Sequence, residues 1–164
     1  MIVVSNTSPI TNLAAIGQLE LLRTLFDHIV TPQAVLTELT AGGILWPGAA
    51  EVAQARWIGV QNVTNRTLVD ALRLELDYGE AEAIALALQR KAGLVLLDEQ
   101  TGREAAKYMG LQVMGVVGIL VRAKKFGYVD QVRPLLDALR HEAGFFLSDP
   151  VYYHALDLAG ERIV

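Results

Sequence analysis

The chain has 164 residues with 52% hydrophobic side chains, no cysteine and a formal net charge of −4. This length fits one domain that buries roughly 70% of its unfolded surface, and the longest apolar runs are far shorter than the ~18 residues of a membrane-spanning helix. Disulfides, thiolate metal sites and a global attraction for nucleic acid are therefore excluded, so we expect a cytoplasmic protein whose metal ions, if it binds any, have oxygen ligands.

Strands and helices alternate in the first half of the chain. Proline follows Ser8 and Thr31, so we expect these two residues to cap helices that begin with Pro9 and Pro32. Gly17 is expected to divide the first helical region into two short helices. Strands are expected at 2–5, 28–31 and 58–63. The helix after the second strand is expected to end at Gly42-Gly43, and two further helices are expected at 46–57 and 68–76.

The same alternation continues in the second half. The expected elements are an alanine-rich helix from Asp77 to Lys91, strands at 94–97 and 111–114, and helices at 99–109, 115–125, 129–141 and 148–160. Such an order predicts one α/β domain over residues 1–164, with a central parallel sheet flanked by helices and the C-terminal helices packed on the same domain.

Polar side chains follow two of the buried strands. Asn6 ends the first strand and Asp98 ends the strand at 94–97, which predicts that both lie in the crevice where open α/β sheets bind ligands. Glu38, Glu80 and Glu82 lie on helices that could reach the same edge. Oxygen ligands without cysteine or histidine suit Mg²⁺ or Mn²⁺, and such an ion favours phosphodiester cleavage.

Each of these side chains also has a structural interpretation. Asp98 could cap the helix that follows it, and Glu80 could form a capping box with Asp77. Glu82 lies ~200° around the helix from Glu80, so the two cannot reach one site equally well; we choose Glu82 as the inward residue by a small margin. Glu38 could be an acid at the rim of the crevice. Asn6 could stabilise a turn through its side chain.

Several motifs along the whole chain together resemble a PIN-domain subfamily. They are Val3-Val4-Ser5-Asn6-Thr7-Ser8-Pro9-Ile10, Pro32-Gln33-Ala34-Val35-Leu36-Thr37-Glu38-Leu39, Gly79-Glu80-Ala81-Glu82-Ala83-Ile84-Ala85-Leu86-Ala87, Leu96-Leu97-Asp98-Glu99, Gly118-Ile119-Leu120-Val121-Arg122-Ala123-Lys124-Lys125 and Ala143-Gly144-Phe145-Phe146-Leu147-Ser148-Asp149. The resemblance implies a three-layer PIN-like fold with acidic residues that bind Mg²⁺ or Mn²⁺ for ribonuclease chemistry. It also implies kinship with VapC-type toxins, which are commonly homodimers silenced by a small antitoxin.

The resemblance also assigns site residues. The four acidic positions of the family fall on Asn6, Glu38, Glu80 or Glu82, and Asp98, with Glu99 as a near neighbour. The first position departs from the usual aspartate. An amide oxygen can coordinate a hard cation but brings no charge, so the affinity for the ion is expected to be lower.

Contact with RNA is expected at the main concentration of basic residues, Arg122, Lys124 and Lys125, with Arg103 nearby. A solvated helix end explains the same cluster equally well. The segment 145–147 and the tyrosines at 152 and 153 are expected in the core, with a dimer or antitoxin interface as the alternative.

Two functions follow from these observations. The first is a toxin-like, metal-dependent endoribonuclease in which Glu38, Glu82 and Asp98 hold the ion directly or through water. The second is a PIN-like interaction or nucleic-acid-binding module whose metal site has decayed through Asn6. A nucleotide-binding α/β protein is disfavoured, since no Gly-x-Gly-x-x-Gly motif follows a strand.

Overall fold

A computed structural model describes residues 1–41 and 47–162 of the chain. It contains one five-stranded parallel sheet with the strand order β3-β2-β1-β4-β5. The strands are β1 (Val3–Ser5), β2 (Ile29–Pro32), β3 (Ile58–Gln61), β4 (Leu94–Leu96) and β5 (Val113–Met114). The order places β1 in the centre, so the residues that follow β1 and β4 lie side by side at the carboxyl edge of the sheet.

Helices connect consecutive strands and then complete the chain. They are α1 (Thr7–Ala15), α2 (Glu20–Phe26), α3 (Gln33–Ala41), α4 (Ala49–Gln54), α5 (Arg66–Leu72), α6 (Tyr78–Gln89), α7 (Gln100–Tyr108), α8 (Val116–Lys125), α9 (Arg133–His141) and α10 (Asp149–Leu158). No helix in the described ranges is long and apolar enough to cross a membrane.

The sheet has a hydrophobic core on each face because successive strand side chains point to opposite sides. Val3, Leu94 and Leu96 belong to one core, which also contains buried residues of α1, α2, α3, α8, α9 and α10. Val4 and Val95 belong to the other, which is covered mainly by α5, α6 and α7. This arrangement confirms the predicted fold class, a three-layer α/β fold with a central parallel sheet.

Helix α6 is buried along most of its length, from Gly79 to Ala87. Its alanines have small side chains, which allow the helix to pack close to β1, β2 and β4. The close packing brings the first turn of α6 to the carboxyl edge of the sheet, beside the polar residues that follow the strands.

The two predicted proline-based helix starts are wrong. Helix α1 begins at Thr7 with Asn6 at the N-cap position, so Ser8 lies inside the helix. Pro9 is tolerated there because the first four backbone N–H groups of a helix have no partner within the helix. Pro32 is the last residue of β2, and α3 begins one residue later at Gln33.

Several other boundaries differ from the expected ones. Helix α5 starts at Arg66, two residues early, because the side chain of Asn65 accepts a hydrogen bond from the backbone N–H of Leu68. Helix α9 starts at Arg133, four residues later than expected. Gly17 separates α1 from α2 with a positive φ of 71°, as predicted for a break at this glycine. The expected end of α3 at Gly42-Gly43 lies outside the described residues.

Candidate active site

Asn6 and Asp98 lie at the same edge of the sheet. The backbone N–H of Asn6 donates to the carbonyl oxygen of Leu96 at 3.1 Å, which joins the end of β1 to the end of β4. Asp98 follows two residues later. The polar residues that end these strands are therefore placed in one crevice, as expected for a parallel sheet.

Asn6 has an unusual environment for an amide. Its side chain is only 4% exposed, and it makes no capping hydrogen bond to α1 although Asn6 occupies the N-cap position. Within the described part of the chain, its Oδ1 atom is buried and has no hydrogen-bond partner. An unpaired buried oxygen costs roughly 1–3 kcal/mol, so it needs an explanation such as a bound ion.

Glu38 reaches the same crevice from α3. Its Oε2 accepts a hydrogen bond from Thr7 Oγ1 at 2.5 Å, and its Oε1 accepts one from the backbone N–H of Gly79 at 3.1 Å. The first contact ties Glu38 to the residue after Asn6, and the second ties it to the first turn of α6. Three elements thus hold the carboxylate in place.

Gly79 allows the close approach of these two side chains. A β-carbon at this position would lie 2.5 Å from Glu38 Oε1 and 3.0 Å from Asn6 Oδ1. The first distance is shorter than real β-carbons show and the second is tight, so any other residue would displace the Glu38 carboxylate from its present position. The amide oxygen of Asn6 and the carboxylate of Glu38 therefore flank the same small space, which we call the Asn6–Glu38 centre.

Asp98 accepts hydrogen bonds from two elements. Its Oδ2 accepts from Ser8 Oγ at 2.8 Å, and its Oδ1 accepts from the backbone N–H of Val116 at 2.7 Å. Val116 is the first residue of α8, so Asp98 caps that helix and not α7, whose N-cap residue is Glu99. Burial raises the pKa of Asp98, while these hydrogen bonds oppose the rise.

Arg103 lies near Asp98. A β-carbon on Gly115 would be 2.6 Å from Arg103 Nη1 and 2.9 Å from Asp98 Oδ1, so a larger residue here would displace these two side chains. The attraction of the guanidinium opposes the rise that burial causes in the pKa of Asp98. Arg103 therefore reduces the negative potential at this end of the crevice.

Glu82 does not join the other acids. It is 3% exposed; its Oε1 accepts a hydrogen bond from the backbone N–H of Ala34 at 2.9 Å, and its Oε2 forms an ion pair with Arg66. The hydrogen bond from Ala34 caps the start of α3, which is the role expected of Thr31 from the sequence. In this structure both carboxylate oxygens of Glu82 have protein partners, one of them the Arg66 guanidinium, and its expected role as the inward metal ligand stays a prediction.

Glu80 points towards α7. It forms the expected capping box with Asp77, and its Oε2 lies 2.5 Å from the place of a β-carbon on Gly102. Burial, assisted by Asp77 and by the charge of Glu99, raises the pKa of Glu80 to about 7. Glu80 thus binds a proton near neutral pH, and Glu99 lies exposed at the start of α7.

The acids are more dispersed than the sequence suggested. Within the described ranges, no group of three or more histidine, cysteine, aspartate or glutamate side chains could hold a metal ion. The Asn6–Glu38 centre is a pair of oxygen donors with one negative charge. Such a pair fits a hard divalent cation that keeps several water ligands and binds weakly.

The predicted basic cluster is divided. Lys124 pairs with Glu161 at 2.9 Å, so its charge is already balanced within the chain, and its expected role in binding RNA stays a prediction. Arg103, Arg122 and Lys125 line one groove of about 690 Å³ between α7, α8 and α10. Their positive charges are therefore available to a ligand in that groove.

The C-terminal aromatic residues are also divided. Leu147 and Tyr152 are buried in the core, as expected. Phe146 is 88% exposed and Tyr153 is 44% exposed, so neither belongs to the core.

Sequence reasoning missed Asn12, Arg66 and Tyr78. Asn12 donates to Ser8 Oγ at 2.9 Å, and its spacing of four residues on a helix could have revealed this contact. Arg66 pairs with Glu82 and also donates to the hydroxyl group of Tyr78 at 2.6 Å. Nothing in the local sequence indicates that Arg66, Tyr78 and Glu82 meet.

Comparisons with known proteins agree with this fold. A family model described as a PIN domain matches residues 2–161. The fold is similar to that of a PilT N-terminus domain protein from the hyperthermophilic archaeon Sulfolobus solfataricus P2, with a TM-score of 0.53 and 20% identity, over 75% of this chain and 93% of that chain. At this identity, the likeness concerns the fold alone. No curated protein matches the chain.

The raised pKa of Glu80 predicts a pH-dependent stability. The folded state keeps a proton on Glu80 up to a pH of about 7, whereas the unfolded chain loses it near pH 4.5. The contribution of Glu80 to stability is therefore fully present below pH 4.5 and is lost as the pH rises through 7. We expect Glu80→Gln to exceed the wild type in free energy of unfolding by roughly 1–3 kcal/mol at pH 8 and to match it near pH 4.5.

Urea denaturation at several pH values in EDTA measures this difference. Glutamine can still accept the capping-box hydrogen bond from Asp77. The control is Glu51→Gln at an exposed position of α4, which should leave the pH profile unchanged. Identical profiles for Glu80→Gln and the wild type would show that Glu80 ionises normally.

Proposed function

The chain belongs to the PIN-domain family, and from this premise we propose that it is a ribonuclease that depends on Mg²⁺ or Mn²⁺. Its membership confirms the resemblance inferred from the sequence motifs. The observation that carries the proposal is the buried, unpartnered Oδ1 of Asn6 beside the Glu38 carboxylate. A divalent cation between these oxygens would satisfy the amide and balance the charge of Glu38.

The residues of the crevice have separate tasks in this proposal. Asn6 and Glu38 hold the ion, with Thr7 and Gly79 fixing the orientation of Glu38. The ion, when bound, supplies a Lewis acid that polarises a phosphoryl oxygen and lowers the pKa of a bound water. Asp98 has a pKa raised by burial, so it is suited to accept the proton of the attacking water.

In this proposal, RNA approaches the crevice along the groove lined by Arg103, Arg122 and Lys125. Arg103 lies near Asp98, and Arg122 and Lys125 line the same groove farther along α8. Arg122 also lies over the rings of Phe26 and Phe126, at 5.5 and 5.6 Å from their centroids. Fixed cations of this kind bind the phosphate backbone without reading its sequence.

A second candidate function is a PIN-like RNA-binding or interaction module without catalysis. Two observations favour it: Asn6 brings no charge to the centre, and Glu82 is paired with Arg66. Only Glu38 then contributes a full charge beside the ion. With one charge at the centre, even a catalytic form of the protein is expected to bind its cation weakly and to cleave RNA slowly.

We extend the proposal to protein partners of a toxin-like ribonuclease. Phe146, Val151 and Leu158 are exposed apolar side chains on α10 or just before it, at 88%, 48% and 63%. Exposed large apolar residues that lie close together are typical of protein interfaces. A second copy of the chain is the partner that we propose for this surface, and a small antitoxin is the alternative. Val151 and Leu158 also line the groove proposed for RNA, so either partner would narrow the path of the RNA along α10.

Cleavage of structured RNA by the purified protein tests the ribonuclease proposal. We expect products with Mn²⁺, none with EDTA, and a loss of rate of ~100-fold or more for Glu38→Gln and for Asp98→Ala. The matched control, Glu75→Gln at an exposed position, should cleave like the wild type. Cleavage that is indifferent to metal and to both substitutions would rule out this site. RNA binding without any cleavage would favour the second candidate function.

Analytical sedimentation tests the proposed self-association. The wild type should sediment at twice the 17.8 kDa mass of one chain. Phe146→Ser should shift it towards the monomer, because the substitution removes an exposed apolar side chain from the contact. A wild type that stays monomeric at every concentration would exclude the homodimer.

A further inference from the structure

A pocket of about 560 Å³ adjoins the Asn6–Glu38 centre. It lies between the start of α3, the segment after β3, and the start of α6, and its lining includes Gln33, Thr37, Glu38, Asn62, Arg66 and Tyr78. This volume is typical of pockets that bind small organic ligands. Glu38 lines the pocket and also forms one side of the candidate centre, so a ligand in the pocket would lie beside the reacting phosphate.

The pocket has a fixed arginine. Arg66 is paired with Glu82, which is itself held by the backbone of α3, and a second N–H of Arg66 donates to the Tyr78 hydroxyl at 2.6 Å. Arg73 lies over the ring of Tyr78, with its guanidinium carbon 4.5 Å from the ring centroid. These contacts hold a planar guanidinium and an aromatic ring, 38% exposed, in the wall of the pocket.

The charges of the pocket favour a neutral ligand. The positive charge of Arg66 is balanced by Glu82, and the third charged residue that lines the pocket is Glu38. A phosphate placed here would meet the unbalanced negative charge of Glu38, which repels it. A neutral planar ring meets no such repulsion and can pack against Tyr78 and Arg66.

The rim of the pocket carries groups that can distinguish one base from another. Gln33 and Asn62 are exposed residues at the opening, and each side-chain amide offers both donors and an acceptor. Amides of this kind can pair with the edge of an unpaired base, as single-stranded RNA is recognised in proteins.

We propose that this pocket binds one unpaired nucleobase of the RNA substrate. The base packs against Tyr78 and Arg66, and Asn62 and Gln33 contact its edge. The inference rests on the proposed ribonuclease function and adds a subsite to it, since the pocket fixes which phosphate comes to Glu38. Cleavage is then expected next to a preferred base in a single-stranded segment.

Calorimetric titration with the four free ribonucleosides, in EDTA, tests the pocket without cleavage. We expect at least one nucleoside to bind, and Tyr78→Ala to weaken its affinity by ~10-fold or more, the scale of one lost base–aromatic stacking contact. Asn62→Ala should change the preference among the four nucleosides. The matched control is Tyr108→Ala, because Tyr108 is a 92% exposed tyrosine on α7.

Two results would overturn the proposal that the pocket binds a nucleobase. Either no nucleoside binds, or the Tyr78→Ala variant binds nucleosides like the wild type while its thermal midpoint shows that it is folded. The cleavage assay with Mn²⁺ separates this failure from failure of the ribonuclease proposal. Cleavage without nucleoside binding removes only the pocket. Nucleoside binding that depends on Tyr78, without any cleavage, supports the pocket and removes only the nuclease activity.

Discussion

The close approach of α6 to the ends of β1 and α3 determines the geometry of the candidate site. It depends on Gly79, where a β-carbon would collide with Glu38 and come within 3.0 Å of Asn6. The same glycine donates its backbone N–H to Glu38. A side chain at this position would displace the Glu38 carboxylate, and the amide oxygen of Asn6 and this carboxylate would no longer share one space. The buried alanines that follow allow the rest of the helix to pack equally closely.

Burial assigns different tasks to the acids near this helix. Glu82 is deeply buried, and a buried charge requires a partner, so it is paired with Arg66 and caps α3. Glu80 has no cationic partner among residues 1–41 and 47–162, and it binds a proton near neutral pH. Glu38 and Asp98 are held by hydrogen bonds from several elements. The crevice is therefore less negative than the number of acids in the sequence suggests, while the pairing of Glu82 builds the neighbouring pocket.

The sequence predicts the architecture better than it predicts the site. Alternating apolar strands and helices are local patterns, and they suffice for the parallel sheet and for the place of Asn6 and Asp98 at its edge. Helix geometry shows that Glu80 and Glu82 point in different directions, but not which one faces the crevice. The direction of Glu82 depends on Arg66, sixteen residues earlier, and on the backbone N–H of Ala34 in α3. The pairing of Lys124 with Glu161 is likewise a long-range contact that no local pattern reveals.

The central claim is that Asn6 and Glu38 together bind a divalent cation. A calorimetric titration with Mn²⁺ tests it most directly, on the wild type and on Asn6→Asp and Glu38→Gln. The account predicts weak binding by the wild type, an affinity ~10-fold or more higher for Asn6→Asp because a second charge joins the ion, and loss of binding for Glu38→Gln. Manganese binding that neither substitution changes would contradict the account, since the ion would then lie elsewhere.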